Sequence, residues 1–239
     1  MSNHIRQPVL LHIETATQVC SVALSKAGQI LDTRSTDEKN AHSRVLTVFI
    51  DEILKQNRIP PQELNAVAVS KRPGSYTGLR IGVSTAKGLC YALDKPLIAV
   101  STLQAMAWGM IRTYEKISED LLFCPMIDAR RMEVYSALFD TSNEQVRDIR
   151  AEIVDENTFS ELLASKRVVF AGDGAPKCKS LLSAYPNAVF IDNFTPSAGY
   201  LAKIATEKFA KGEFEDVAYF EPFYLKDFIA GIPKVKGLK

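Results

Sequence analysis

Three short loops concentrate the side chains capable of chemistry. The first, Lys71-Arg72-Pro73-Gly74-Ser75-Tyr76-Thr77-Gly78-Leu79-Arg80, sets two glycines among hydroxyls and cations, between an apolar run and a stretch of small residues. Loops of that composition aim backbone N–H groups at anions. The spacing matches neither a P-loop nor a dinucleotide fingerprint. An even alternative is therefore a tight turn in which Thr77 caps a helix from about Leu79 and Gly74 takes an unusual backbone conformation. The second loop, Asp128-Ala129-Arg130-Arg131, offers two guanidiniums whose planar forks suit phosphate, or an Asp-Arg pair that fixes the turn. The third, Gly172-Asp173-Gly174-Ala175, has glycines that either admit a nucleotide base or make a turn.

The elements that must position these loops follow from periodicity. Val9 to Glu14, Val19 to Lys26 and Gln29 to Ser35 are branched runs separated by turn residues, which predicts a three-stranded meander. His42 to Asn57 has a helical apolar period that stops before Pro60-Pro61. A strand at Ala66 to Ser70, a helix at Leu79 to Leu93, a strand at Leu97 to Val100 and a helix from Thr102 follow. The order βββαβαβα then starts again, with strands at Leu121 to Ile127, Glu133 to Phe139 and Gln145 to Val154. A helix from Thr158, a strand at Val168 to Ala171, a helix from Pro176, a strand at Val189 and a helix from Ser197 complete it.

No sequence repeat accompanies this duplication of order. By analogy it implies two stacked α/β lobes of the actin-like, sugar kinase and Hsp70 ATPase (RNase H-like) architecture, residues 1–104 and 105–239, with a flexible tail after about 228. In such lobes the turn between the first two strands, here Glu14-Thr15-Ala16-Thr17, faces the cleft and holds phosphate.

Composition narrows the chemistry. The chain has 239 residues, 46% hydrophobic and 24% charged, and a net charge of +1, so no whole-chain positive field drives binding to nucleic acid. Cys20, Cys90, Cys124 and Cys178 form no C-x-x-C pair and read as buried free thiols. The histidines, His4, His12 and His42, have no helical metal-ligand spacing, so no metal is expected. No apolar run suits a signal peptide or a membrane span, which makes the expected location the cytoplasm.

LLHIETATQVCSVAL, the His42-Ser43 helix start, RPGSYTGLRIG, AKGL, DARRMEVY, GDGA and PFYLK occur in the order found in the TsaB (YeaZ) family, which the chain resembles from about Val9 to about Lys226. RPGSYTGLRIG is the specific element. The resemblance implies a protein needed to form threonylcarbamoyladenosine beside the anticodon of ANN-decoding tRNAs, as a non-catalytic partner of TsaD. It also implies contact with TsaE, a homodimer when the chain is alone, and access to tRNA indirectly through the complex. In TsaD a His-x-x-x-His pair holds a metal. Here the aligned positions are Thr102 and Met106, and no histidine follows His42, so no catalytic residue is assigned.

Departures from the family pattern also carry meaning. Arg72 stands where TsaB proteins usually have glycine, so it should take an ordinary backbone region. Glu14 replaces the aspartate of many kinases of this fold, which argues against efficient Mg-ATP hydrolysis. A degenerate nucleotide cleft would comprise Glu14, Ser75, Asp128, Gly172 and Gly174. No cofactor is expected, apart from ATP or ADP at the partner interface. The rival reading is a stand-alone ATPase or small-molecule kinase using these residues. A peptidase would have to rely on His42 alone, and His42-Ser43 reads better as a cap and first turn. Through the resemblance, His42, Tyr76, Leu79, Arg80, Val83 and Lys87 are expected near the contact with TsaD or a second copy.

Overall fold

A computed structural model describes residues 7–118 and 120–222. Its first half contains β1 (Val9–Glu14), β2 (Cys20–Lys26), β3 (Gln29–Thr36), α1 (His42–Gln56), β4 (Ala66–Ser70), α2 (Tyr76–Leu93), β5 (Leu97–Val100) and α3 (Thr102–Thr113). The second contains β6 (Leu121–Asp128), β7 (Glu133–Phe139), β8 (Gln145–Ile153), α4 (Ser160–Ser165), β9 (Arg167–Ala171), α5 (Ala175–Leu182), β10 (Ala188–Phe190) and α6 (Ala202–Lys211). Short 3-10 turns lie at Pro61–Glu63 and Ala198–Leu201.

The two sheets share one topology. The first runs β3-β2-β1-β4-β5, and the second, read from its far edge, runs β8-β7-β6-β9-β10. In each, three antiparallel strands are extended by two parallel ones. This is the duplicated α/β actin-like arrangement, carried by strand order rather than by repeated sequence.

Period-two alternation sorts β1 into two faces. Leu11 and Ile13 join Val22, Leu24, Val67 and Val69 against Leu46, Ile50 and Ile53 of α1 and Val83, Ala86 and Cys90 of α2. Leu10, on the opposite face, joins Ala66, Ala68, Ile98 and Val100 against Ala105 of α3 and Leu201, Ile204 and Ala205. The second sheet buries Cys124, Met126, Val168 and Phe170 against Phe159, Leu163 of α4, and Cys178 and Leu182 of α5. Its other face meets Leu103, Met106, Ala107 and Met110, so α3 lies between the sheets and contributes to both cores.

Several boundaries differ from expectation. The helix expected from Leu79 begins at Tyr76, and its cap is Ser75 rather than Thr77, with the Gly78 N–H donating to Ser75 Oγ at 3.3 Å. The helix expected from Thr158 begins at Ser160, because the Thr158 hydroxyl is drawn into a turn with Asp155. From Ser197 the chain makes a 3-10 turn before α6 starts. The division at 104/105 is crossed in space: α6 packs on the first sheet, and the chain beyond it stays there. The Glu215 N–H donates to the Leu97 carbonyl at 2.9 Å, and Lys87 Nζ donates to the carbonyls of Ala218 and Phe220 at 3.1 and 2.8 Å. The expected tail after about 228, most of the PFYLK motif and His4 lie outside the described residues.

Candidate functional site

The turn Glu14-Thr15-Ala16-Thr17 is the hub of the first lobe. Glu14 is 1% exposed, and its Oε1 accepts from the Ala16 N–H at 2.7 Å and the Ser70 hydroxyl at 2.9 Å. Burial pushes its pKa up to about 7, opposed by those hydrogen bonds. The Ser75 N–H donates to the Ala16 carbonyl at 2.6 Å, tying the turn to the start of α2. His42 at the start of α1 donates from Nε2 to the Thr17 carbonyl at 3.0 Å. That contact corrects the capping role expected of His42-Ser43, since the residue at the cap position is Ala41, with no side-chain bond.

Three glycines spaced four apart, Gly74 in the loop and Gly78 and Gly82 on α2, close the hub. A Cβ at Gly78 would sit 2.1 Å from the Thr15 carbonyl oxygen, one at Gly82 2.2 Å from Thr15 Oγ1, and one at Gly74 2.5 Å from the Ala16 carbonyl oxygen. Gly74 has no positive φ, so close approach and not backbone freedom is what requires glycine there. Thr15 and Ala16 are fully buried. In the loop at 71–80 the Ser75, Gly78 and Leu79 N–H groups are engaged by Ala16 and Ser75, as in a turn and helix cap. Arg72 takes an ordinary backbone region, as its replacement of glycine requires, and its carbonyl accepts from the Thr102 N–H at 2.8 Å.

The second lobe brings its own loops together. The Asp128 N–H donates to Asp173 Oδ1 at 3.0 Å, and Asp128 Oδ1 accepts from the Arg130 N–H at 2.8 Å and from the Lys177 ammonium. The partner of Asp128 is thus a lysine on α5 and a backbone amide, not an arginine side chain. Burial raises the pKa of Asp173. Gly172 has φ +106°, and a Cβ there would lie 2.2 Å from the Met126 carbonyl oxygen, so both conformation and space demand glycine. The five residues of the expected cleft therefore fall into two clusters, Glu14 with Ser75 and Asp128 with Gly172 and Gly174. No hydrogen bond among the described residues joins them.

The residues expected near a partner divide by helix phase. Leu79, Val83 and His42 are buried in this chain's own core and offer no surface. Arg80 is exposed and donates to the Tyr76 hydroxyl at 2.9 Å, its guanidinium 5.3 Å from that ring. Lys87 is held by the chain near Phe220. The outward stripe of α2 is Thr77, Arg80, Ser84, Gly88 and Tyr91, the last 86% exposed. Ser70 and Lys177 escaped the sequence reading, and Thr15 and Asp173 entered it only as members of their loops, with no role of their own. The four-residue spacing of Gly74, Gly78 and Gly82 was the one signal pointing to Thr15. Among the described residues no group of three His, Cys, Asp or Glu is placed to hold a metal.

The model for the family described as TsaD, tRNA N6-adenosine threonylcarbamoyltransferase, matches residues 30–234. The TsaB protein of Escherichia coli, named for tRNA threonylcarbamoyladenosine biosynthesis, is 32% identical, over 92% of this chain and 96% of its own. The chain belongs to the TsaB family. The TsaB protein of Haemophilus influenzae is 29% identical over 91% of this chain and 93% of its own. The solved structure of YeaZ from Pseudomonas aeruginosa superposes with a TM-score of 0.72 at 26% identity, covering 91% of this chain and all of that one. The chain is accordingly a subunit in tRNA threonylcarbamoyladenosine biosynthesis.

Proposed function

We propose that the chain acts as a scaffold subunit that pairs with a TsaD-family protein and supports threonylcarbamoyl transfer to ANN-decoding tRNA, with the chemistry in the partner. The observation that carries this reading is the closed hub. The turn that in related architectures holds phosphate is packed against Gly74 and against Gly78 and Gly82 of α2, and its carboxylate is bonded inward to Ala16 and Ser70. A phosphate entering there would have to displace backbone from backbone. A peptidase reading is supported no better, because the His42 ring is turned to the Thr17 carbonyl.

The exposed stripe of α2 is the natural docking surface, with Tyr91 and Arg80 of the residue types that dominate interface energetics. The hub fixes the starts of both α1 and α2, so it sets the shape of that surface. Binding there would order the partner's cleft and help form a platform for TsaE and tRNA. In the absence of TsaD the same face serves a second copy of the chain. ATP or ADP, if used, belongs to the partner interface. The absence, among the described residues, of any helix long and apolar enough to cross a membrane is compatible with work in the cytoplasm.

The test is reconstitution with TsaD, TsaE, threonylcarbamoyl-adenylate, ATP and tRNA, with modified nucleoside quantified by mass spectrometry. Product is expected to depend on this chain and to fall on charge reversal at Arg80. Product formed equally well without it would refute the scaffold reading. ATP turnover by the chain alone, abolished by Glu14→Ala, would replace it with the ATPase reading.

A further inference from the structure

We propose that Arg130 and Arg131, at the tip of the hairpin joining β6 to β7, form a clamp for the phosphate backbone of tRNA. The proposal rests on the reading above for the presence of tRNA and gives this chain a direct contact with it.

Local backbone energetics oppose arginine at both positions. Arg130 has φ +73° and Arg131 φ +49°, a region that residues other than Gly, Asn and Asp seldom adopt. A hairpin selected for stability alone would place glycine or asparagine there. Two consecutive arginines held against that preference indicate that their side chains are wanted where the turn puts them.

Both residues are exposed, and neither guanidinium has a hydrogen-bond or ion-pair partner among the described residues. The nearby acid is already engaged. Asp128 accepts from the Arg130 backbone N–H and from the Lys177 ammonium, and that same ammonium donates to the Glu133 carbonyl at 2.6 Å. Asp173 Oδ1 accepts from the Asp128 N–H. The bracing therefore fixes the turn from beneath with backbone and lysine contacts and uses neither guanidinium. Lys177 lies in the first turn of α5, a helix without a side-chain cap, so the positive end of that helix adds to the same pole. A guanidinium fork with no internal acceptor is suited to phosphate oxygens. In a family that serves tRNA modification, the polymer presenting such oxygens in series is RNA.

The test is fluorescence anisotropy with a labelled ANN-decoding tRNA transcript, titrated with the full chain alone and paired with its TsaD-family partner, across a series of salt concentrations. The double variant Arg130→Gly with Arg131→Gly removes both charges and supplies the residue the backbone prefers, so its melting temperature should hold or rise. Its tRNA affinity is expected to fall about tenfold at low salt, and the slope of log K against log salt to shrink by roughly 1.4 to 1.8, the contribution of two phosphates. Gel filtration with the partner reports the scaffold reading separately and should be unaffected. Affinity and slope equal to those of the unsubstituted chain would overturn the clamp. So would an arginine-dependent affinity for ATP accompanied by unchanged tRNA binding, since the phosphate would then be a nucleotide's.

Discussion

Replacing Glu14 with glutamine probes the hub directly. The carboxyl is buried, with Oε1 holding the Ala16 amide and the Ser70 hydroxyl, and burial carries its pKa from 4.5 to about 7. Between those pH values the unfolded chain gives up the proton while the folded chain keeps it, so stability falls as pH rises. Across about 2.5 pH units, at about 1.4 kcal/mol each, the penalty reaches about 3 kcal/mol above pH 7 and vanishes below about pH 4.5. Glutamine retains an Oε1 acceptor and cannot ionise. Glu14→Gln should therefore match the parent near pH 4.5 and exceed it by about 3 kcal/mol at pH 8, a melting difference of roughly 6–12 °C. His12 pulls the other way. Burial lowers its pKa from 6.5 to about 3, so it costs stability as pH falls below 6.5. Both proteins carry His12, and the difference between them isolates Glu14. Urea unfolding followed by fluorescence of Trp108, the one tryptophan, packed against the core between α3 and the first sheet, measures it. A stability difference that does not vary with pH would refute the buried carboxyl. A variant less stable than the parent at pH 8 would show instead that the turn is built to hold the ionised form.

The glycines of α2 should separate sharply under alanine substitution. Gly78→Ala drives a methyl into the Thr15 carbonyl and should cost about 1–3 kcal/mol together with partner pairing, measured by denaturation and co-elution. Gly88→Ala meets open space and should stabilise by about 1 kcal/mol through helix propensity alone. Lys87→Met leaves the Ala218 and Phe220 carbonyls without their donor; limited proteolysis should then cut after Gly212 faster than in the parent. The four cysteines are free and buried, with the thiols of Cys20 and Cys90 pushed up to about 11, so Ellman's reagent should find no rapidly reacting thiol in the native chain and four after unfolding.

What the sequence disclosed was what short range determines. The branched run VLLHIE and the helical period from His42 named their elements to within a residue or two, because residue type and side-chain period depend only on neighbours along the chain. The duplicated order of strands likewise followed from element types. Placement of α6 on the first sheet did not, since Leu201, Ile204 and Ala205 would suit either core and only tertiary packing chooses. Phase on α2 misled for a related reason: Leu79 and Val83 share a helical face with Ala86 and Cys90, and that face belongs to the sheet.

The loop at 71–80 shows why a segment can be singled out from sequence while its role stays open between two readings. An anion cradle and a close backbone crossing make the same demand of a chain, namely glycine where something large must approach and polar groups where N–H donors turn inward. Gly74, Gly78 and Gly82 satisfy either. The outcome depends on what arrives at those glycines, and here it is Thr15 and Ala16 from a turn some sixty residues earlier, bound through Ser75 and held from the other side by Glu14 and Ser70. That register between the β1–β2 turn and the start of α2 is a property of the packed sheet and appears in no local pattern. It is also the feature on which the proposed scaffold role rests, because the β1–β2 turn is filled by this chain's own backbone at the start of α2.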